Sequence, residues 1–526
     1  MTPSLFAQRR QLFLSAIFLF LIVIIAGGAG VFVLSDVGLH DSLDLLRVAA
    51  VVNRVYEHEV NWDRLTQAAM DGMFSHLDRY SGYLAPQQWK RMHEELSGSY
   101  SGIGVSVTGH RKGLLIMSVR EDGPAAGAGI LSGDVIIKVD STRLGGLDAD
   151  QATEVLRGPE NTEVSLTLWR PVDNDTLTVK VMRRKIDFVH IPFAGLTADS
   201  VLYIRLLDFD AGASRDLKTA LDSLLGKSGP RPYGVVLDLR GNPGGLFSEA
   251  FQTANLFLDK GRFVVGTDGR SRWQEESYFS SGPDITKGLP LAILVDRGSA
   301  SSSEIVSGSL RQLDRAILVG DTTFGKGLVQ GFDRLDDESG VRLTISRYYL
   351  AGPLYLNRFD STLEETGRGL VPDRLIKFTD QGVFPRALES SLLLQQFAAR
   401  HQDDIIAATD QFDLDDSWIQ RFRQYCTEAK FEFSSPTTVR AESLADEVSR
   451  EEPGRDLEQA SKSLLDHSRR LDRDEFLRHS SYIKMRLKQI ALERKFGSYT
   501  AYLKAIVPSR PDIRLAAQLL KSKAHD

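Results

Sequence analysis

The sequence has one cysteine, one long apolar run and almost no excess charge, and each scarcity excludes a class of protein. Cys426 is alone among 526 residues, which excludes an internal disulfide framework and a thiolate metal cluster. It lies in a charged helical stretch, RQYCTEAK, without a nearby histidine, so we expect a small hydrophobe rather than a nucleophile. The 64 basic and 70 acidic side chains nearly balance, which argues against nucleic acid as the main partner. A mean hydropathy of −0.18 excludes a polytopic membrane protein.

The apolar run, residues 12–34, carries no charge and as a helix would extend about 35 Å, enough to cross a bilayer once. Arg9 and Arg10 precede it and Asp36 follows, so the positive-inside rule leaves the N-terminus in the cytoplasm. We therefore expect residues 1–35 to form a cytoplasmic tip and a transmembrane signal anchor. A cleaved signal peptide is the alternative, because small residues follow the first part of the run. Either way, the rest of the chain is expected to be exported.

Four segments follow the apolar run. Apolar residues at helical spacing predict a helical N-terminal region over residues 36–98. Short β-branched runs between glycines, such as GIGVSV and GDVIIKVD, predict a β-rich domain over residues 99–187. Over residues 188–378 strand-like and helix-like stretches alternate, which indicates an α/β domain. Residues 379–526 are charged and helical, and their sequence indicates no chemistry.

The first stretch that could carry chemistry is GSASSSE, residues 298–304, between a buried strand and a helix. A serine at such a junction exposes its hydroxyl, while the N–H groups at the helix start can stabilise an anionic intermediate. Ser301 and Glu304 also fit a capping box, S-x-x-E, whose only purpose is to start the helix. The stretch alone favours the cap.

The second stretch, GDTTFGKG at residues 320–327, nearly matches the phosphate-binding pattern G-x-x-x-x-G-K-[ST]. Gly327 stands where magnesium needs a hydroxyl, and the following residues do not read as the required helix, which argues against a nucleotide. Lys326 could instead deprotonate a serine if burial lowered its pKa from about 10.4 toward neutrality. Its neighbours Phe324 and Leu328 are apolar, although a solvated surface lysine is the ordinary alternative.

The third stretch is DLRGNPGG, residues 238–245, again between a strand and a helix. Its last two glycines could present backbone N–H groups to an oxyanion. A tight turn without a chemical role explains the same residues.

Together and in this order, the three stretches resemble the signature segments of the carboxyl-terminal processing peptidases, serine endopeptidases that use a serine and lysine pair. LDRYSGYL, GPAAGAGILSGDVIIKVD, LTISRYYLAG and GRGLVPDR extend the resemblance over about residues 40–375. It implies a multidomain α+β protein in which a PDZ-like domain precedes an α/β protease core of the ClpP/crotonase type, with helical regions at both ends.

The resemblance also implies the site residues. The nucleophile falls on Ser301, with Ser299 and Ser303 as the positions to exclude, the general base on Lys326 and the lysine-orienting glutamine on Gln330. The oxyanion donors are the backbone N–H groups of Ser302 and of Gly244 or Gly245, between which the sequence does not choose. No metal or organic cofactor is implied.

The PDZ-like domain would supply substrate selection. The loop Gly102, Ile103, Gly104 and Val105 would hold a free C-terminal carboxylate while the peptide adds as a strand, although these residues also fit a simple β-turn. The expected partners are proteins or peptides with free, apolar C-termini.

The sequence therefore predicts a serine endopeptidase, anchored by one helix in a bacterial inner membrane, with its catalytic part on the periplasmic side. The alternative is a catalytically silent PDZ scaffold that binds envelope proteins. Residues 379–526 could mediate self-association or bind an adaptor, and no nucleic-acid partner is expected.

Overall fold

The computed structural model describes residues 39–525 except 121, 172, 227–230, 336–337, 359–368, 377–381, 412–413, 451–454, 502–504 and 508–509. The predicted anchor lies outside this part of the chain. Every helix within it is too short or too polar to cross a membrane. The described residues divide into two compact units, with the boundary between residues 83 and 84.

The described residues of the first unit, 39–83, are mainly helical. This unit contains helices α1 (Leu39–Val55) and α2 (Trp62–Phe74). A short strand, β1 (Gly82–Leu84), begins at the C-terminal end of the unit. The side chain of Asn61 caps α2 by accepting a hydrogen bond from Arg64 N at 3.0 Å. Helix α3 (Pro86–Ser97) already belongs to the second unit.

The β-rich part of the second unit consists of a six-stranded sheet and a two-stranded ribbon. The ribbon pairs β2 (Ser99–Gly102) with β9 (Arg184–Asp187). The sheet has the order β3–β4–β5–β7–β8, and β6 pairs with β5. Its elements are β3 (Val105–His110), β4 (Gly113–Val119), β5 (Val135–Val139), β6 (Thr142–Arg143), β7 (Glu163–Arg170) and β8 (Asp175–Met182), with helices α4 (Pro124–Gly127) and α5 (Ala149–Leu156). Side chains of strand β7 alternate between the two faces of the sheet, with Val164, Leu166 and Leu168 buried.

A six-stranded sheet forms the centre of the α/β part. Its order is β10–β11–β12–β15–β16–β20; only β10 runs antiparallel to its neighbour. Its elements are β10 (Phe193–Leu196), β11 (Leu202–Arg205), β12 (Val235–Asp238), β15 (Leu291–Val295), β16 (Ala316–Gly320) and β20 (Arg374–Leu375), with helices α6 (Ala213–Leu225), α7 (Phe247–Asn255) and α8 (Ser302–Gln312).

The two faces of this sheet have different covers. The three helices α6, α7 and α8 pack on the face that we call inner, which carries Val235, Leu237 and Ile293. The outer face carries the alternate residues, among them Val236 and Leu294.

A second, antiparallel sheet lies beside the inner face. Strand β18 (Gly340–Leu350) pairs with β13 (Phe263–Gly269), β17 (Leu328–Arg334) and β19 (Leu354–Tyr355), and β14 (Glu276–Phe279) pairs with β13. Strand β17 begins two residues after Lys326, where a phosphate-binding loop would require a helix.

The C-terminal region is helical, as predicted, but it divides between two cores. Its helices are α9 (Val383–Ser391), α10 (Leu393–Arg400), α11 (Gln402–Gln411), α12 (Asp416–Glu428), α13 (Pro436–Arg450), α14 (Arg455–Arg473), α15 (Glu475–Arg478), α16 (Ser480–Ala501) and α17 (Pro511–His525). Helices α9 to α12 and α16 share a core around Phe397, Phe422 and Leu487. Burial in this core raises the pKa of Cys426 to about 12, which fits the expected small hydrophobe. Helix α17 instead packs on the outer face of the protease sheet.

Candidate active site

Two of the stretches selected from the sequence follow neighbouring parallel strands, and the third joins them at one cavity. Strand β12 leads into DLRGNPGG and β15 leads into GSASSSE, and the carboxyl ends of parallel strands lie at one edge of a sheet. The cavity beyond this edge has a volume of about 650 Å³. Its lining includes every predicted catalytic and oxyanion residue, namely Ser301, Lys326, Gln330, Ser302, Gly244 and Gly245.

Ser301 occupies a strained position immediately before α8. Its φ of 54° and ψ of −113° place it in the left-handed half of the backbone map, which costs a non-glycine residue about 1–3 kcal/mol. Its N–H donates to Glu304 Oε2 at 3.0 Å, so the capping box that the sequence indicates is part of the structure. The cap and the position of the serine at the cavity are therefore features of one turn, not alternatives.

The hydroxyl of Ser301 differs from those of its neighbours. Three nearby serines donate to backbone carbonyls of the DLRGNPGG loop, Ser299 to Leu239 at 2.8 Å, Ser302 to Gly245 at 3.0 Å and Ser303 to Asn242 at 2.9 Å. Ser301 donates its hydroxyl to no acceptor in the part of the chain that the structure describes. The three bonds hold the two turns together and leave Ser301 as the serine available to a substrate.

Glu304 joins the serine turn to the lysine loop, a role that its place in the capping box does not reveal. Its buried carboxylate also accepts hydrogen bonds from Gly325 N at 2.7 Å, Lys326 N at 2.8 Å and Thr323 Oγ1 at 2.5 Å. Burial raises the pKa of Glu304, while these donors stabilise its charged form. One carboxylate thus fixes the backbones of both candidate catalytic residues.

Tyr348 makes a second link between the same residues. It lies on β18 and is 1% exposed. Its hydroxyl donates to the carbonyl of Lys326 at 2.8 Å and to that of Ser301 at 3.3 Å. Burial raises the pKa of Tyr348 well above its usual value, so the hydroxyl stays a donor. The alternation of β18 places Tyr348 inward, but nothing in its local sequence indicates these contacts.

Gln330 presents a buried acceptor to the cavity. Its Nε2 donates to Thr344 Oγ1 at 2.7 Å, which fixes the amide on β17. The remaining oxygen, Oε1, is buried and has no hydrogen-bond partner among the described residues. An ammonium or amine group in the cavity would satisfy it.

The structure narrows the choice of oxyanion donor. Gly244 N–H already donates to Asn242 Oδ1 at 2.9 Å. Within the described chain, the N–H groups of Gly245 and Ser302 have no acceptor. Gly244 is needed for its size, because a Cβ there would lie 2.9 Å from Ser301 Cβ. Gly245 and Ser302 are the donors free to bind an oxyanion in this conformation.

The family follows from comparison with known proteins. The profile of peptidase family S41 matches residues 200–353. A carboxy-terminal-processing protease of Bartonella bacilliformis is 32% identical over 315 residues, which cover 60% of this chain and 70% of that protein. The chain belongs to the S41 carboxy-terminal-processing proteases. It is a serine-type peptidase, and the resemblance stated from its motifs is confirmed.

Further matches place the accessory domains of this S41 protease. A PDZ domain profile matches residues 101–182, and a profile described as a probable PDZ-protease C-terminal helical domain matches residues 386–520. These matches confirm the multidomain α+β architecture. The Bacillus subtilis carboxy-terminal processing protease CtpA is 34% identical, over 58% of this chain and 64% of that protein. A solved photosystem II D1 C-terminal processing protease is 28% identical over 61% of this chain and 84% of that chain, with a TM-score of 0.37.

The PDZ loop of this S41 protease does not line the cavity. Residues 102–105 join β2 to β3, with the Ile103 side chain in the PDZ core and Gly104 at a φ of 79°. The carbonyls of Ile103 and Gly104 accept hydrogen bonds from Ala125 N and Arg120 N at 3.0 and 2.9 Å. The structure does not bring this loop together with the candidate catalytic residues.

A different part of the PDZ domain reaches the cavity. Arg157, directly after α5, lines it and pairs with Glu94 of α3 at 2.6 Å. Asp208 also lines it and accepts a 2.6 Å hydrogen bond from His190. No motif in the sequence marks these residues, because their contacts join segments that are separated in the chain.

Proposed function

We propose that Ser301 is the nucleophile of this peptidase and Lys326 its general base. The observation that carries the proposal is the contrast among the serines: Ser301 alone lines the cavity with a hydroxyl that donates to no described acceptor. Lys326 lines the same cavity, and Glu304 and Tyr348 fix both backbones. The buried Oε1 of Gln330 supports its role in orienting the lysine amine.

In this mechanism, Ser301 Oγ attacks the scissile carbonyl as its proton passes to the neutral amine of Lys326. The negative charge on the carbonyl oxygen is stabilised by the N–H groups of Ser302 and Gly245. Lys326 then gives the proton to the leaving amine, and an acyl-enzyme remains. Water, deprotonated by Lys326, then attacks the ester, and Lys326 returns that proton to Ser301 Oγ as the acyl–oxygen bond breaks and the acid product leaves.

The substrates of this reaction are proteins with free, apolar C-termini. Backbone N–H groups of the loop 102–105 would bind the terminal carboxylate while the peptide pairs as an added strand. The positive φ of Gly104 supports such a loop, because it turns successive N–H groups toward one side.

The cellular setting in this proposal rests on the sequence. The uncharged run 12–34 would anchor the protein in a bacterial inner membrane, with the peptidase on the periplasmic side. The full-length protein should then sediment with membranes, whereas a chain that starts at residue 36 should not. Self-association or adaptor binding by the helical C-terminal region stays a prediction.

Cleavage of an unfolded protein with an apolar C-terminus tests the dyad. Ser301→Ala and Lys326→Ala should each lower kcat at least about 10³-fold and leave substrate binding intact. Ser309→Ala, in the same helix but bonded within it, and Lys260→Ala, on the surface, are matched controls that should keep parental activity. If both dyad variants cleave like the parent, the assignment is wrong. Amidation of the substrate C-terminus should slow cleavage, and an unchanged rate would reject carboxylate binding.

A further inference from the structure

The last helix of the chain completes the protease core. Ile513, Ala517 and Leu520 of α17 pack on the outer face of the central sheet, against side chains that include Val236 and Leu294. These strands carry the candidate active-site turns at their carboxyl ends. Although α17 falls largely within the match to the C-terminal helical domain, its apolar contacts are with the protease sheet.

Helix α17 also brings a charge to the base of the candidate oxyanion loop. The guanidinium of Arg240 is 5% exposed and lies between two carboxylates that are both 0% exposed, Asp238 and Asp512. Arg240 Nε and Nη2 donate to the two oxygens of Asp238 at 2.8 and 2.5 Å, and Nη1 donates to Asp512 Oδ2. Asp512 lies in the first turn of α17, where the helix dipole favours a negative charge, and it also binds Arg510 at 3.2 Å.

The cluster is built for charged side chains. Burial alone would raise the pKa of Asp238, but Arg240, together with Arg205 and Tyr203, lowers it to about 2. An arginine side chain stays protonated in proteins. The carboxylates of Asp238 and Asp512 therefore stabilise the buried charge of Arg240. Loss of the Asp512 charge would remove one of the two buried carboxylates that bind the Arg240 guanidinium and would therefore weaken its hold on this buried position.

Arg240 begins the segment that ends at the candidate oxyanion donor, Gly245. Between them, Gly241 N–H donates to Asp296 Oδ1 at 2.8 Å and Asn242 Nδ2 donates to the carbonyl of Leu206 at 3.0 Å. The segment is thus fixed at Arg240, at Gly241 and at Asn242. A displacement of Arg240 would therefore be transmitted to Gly245 through a few hydrogen-bonded residues.

We propose that Asp512 is a positioning residue for catalysis: through Arg240 it fixes the loop 240–245, so that the last helix of the chain holds the oxyanion donor in register with Ser301. The inference rests on the proposed function, since it needs Gly245 to bind the oxyanion. It assigns a role in the chemistry to a residue of the C-terminal helical region.

The variant Asp512→Asn keeps the size of the side chain and removes its charge. For a reporter peptide, kcat should fall about tenfold with KM within about twofold, because a misplaced donor weakens binding of the transition state and not of the substrate. The measurement is made where circular dichroism shows the variant folded. Asp456→Asn is the matched control, since Asp456 also lies in the first turn of a helix, α14, but is exposed. It should match the parent.

The variant Leu520→Ala distinguishes a purely structural role of α17 from a role in catalysis. It removes apolar contact between α17 and the sheet and leaves the ion pairs of Asp512 in place. It should lower Tm yet keep the parental kcat in the folded protein. If folded Asp512→Asn has the parental kcat, the inference is overturned. It is also overturned if Leu520→Ala loses the same fraction of kcat, because α17 would then act through packing alone.

Two further measurements keep the result decisive. Where Asp512→Asn does not fold, Asp512→Ser replaces it: the smaller side chain also removes the carboxylate that binds Arg240, and a folded Asp512→Ser with the parental kcat overturns the inference. Ser301→Ala is assayed in parallel. An active Ser301→Ala refutes the proposed function itself, whereas an inactive Ser301→Ala beside a fully active, folded Asp512→Asn refutes only the role of Asp512.

Discussion

The two faces of the protease sheet are covered by helices that differ in how far along the sequence they lie from the strands of that sheet. The inner face is covered by α6, α7 and α8, which lie in sequence between strands of the sheet and within the S41 match. The outer face is covered by α17, which begins only at Pro511. The inner cover carries the candidate nucleophile at the start of α8, while the outer cover carries a buried countercharge. The candidate nucleophile thus lies close in sequence to the strands of the sheet, whereas the helix that supports the sheet from its outer face lies far from them.

On the inner side of the sheet, the substitution with the largest expected effect on activity is Glu304→Gln. The carboxylate of Glu304 accepts four hydrogen bonds. The variant keeps the shape of the side chain but replaces one of the two accepting oxygens by an NH₂ donor, so some of these bonds are lost. We expect a fall in kcat of about 100-fold, because the serine turn and the lysine loop lose their common anchor. Glu249→Gln is the control, since Glu249 also accepts two backbone N–H groups, from Gly212 and Ser214. Equal activity of the two variants would contradict the role of Glu304.

Matched cavities on the two faces should separate stability from chemistry. Leu310 of α8 and Leu520 of α17 are both fully buried. Either change to alanine should lower the free energy of unfolding by about 2–5 kcal/mol. Only Leu310→Ala should also lower kcat, because α8 begins directly after Ser301. Chemical denaturation and steady-state kinetics on the same samples check this, and a reduced kcat in Leu520→Ala alone would reverse the comparison.

The two faces should also differ in their response to pH. On the outer side, Asp238 has a pKa of about 2, so its contribution is present above its ordinary pKa of 3.8 and is lost only in strong acid. On the inner side, the hydrogen bond to Asp208 raises the pKa of His190 above 6.5, although burial opposes it. The stability from His190 should therefore be full below pH 6.5 and fall as pH rises through its folded-state pKa.

Unfolding of the parent and His190→Gln in urea across this range checks the sign. The parent should exceed the variant by more at pH 5.5 than at pH 9. A difference that does not change with pH would show that the charged form of His190 adds no stability.

The smallest expected effect is that of Ser302→Ala. It removes the hydroxyl bond to the carbonyl of Gly245 and keeps the backbone N–H, so about 1 kcal/mol of stability should be lost. We expect kcat within about threefold of the parent, because Ser299 and Ser303 still join the two turns. A loss as large as that of Glu304→Gln would mean that the hydroxyl itself takes part in catalysis.

The difference between near and distant contacts also explains what the sequence could predict. The three turns were found because each follows a strand, and parallel strands bring such turns to one edge. The double role of Glu304, the bonds of Tyr348 and the charge of Asp512 were not found. Their contacts join residues 22, 47 and 272 positions apart, and no spacing in the sequence marks them. The helical character of the tail was predicted from its composition, but its division between two cores depends on which apolar surface each helix covers.

Covalent labelling with a serine-directed fluorophosphonate tests the central claim most directly, because it reports which serine is activated and by which base. Peptide mapping by mass spectrometry should place the label on Ser301 in the parent, and labelling should be lost in Lys326→Ala while that variant remains folded. A label on Ser299, Ser302 or Ser303, or undiminished labelling of Ser301 without Lys326, would contradict the account.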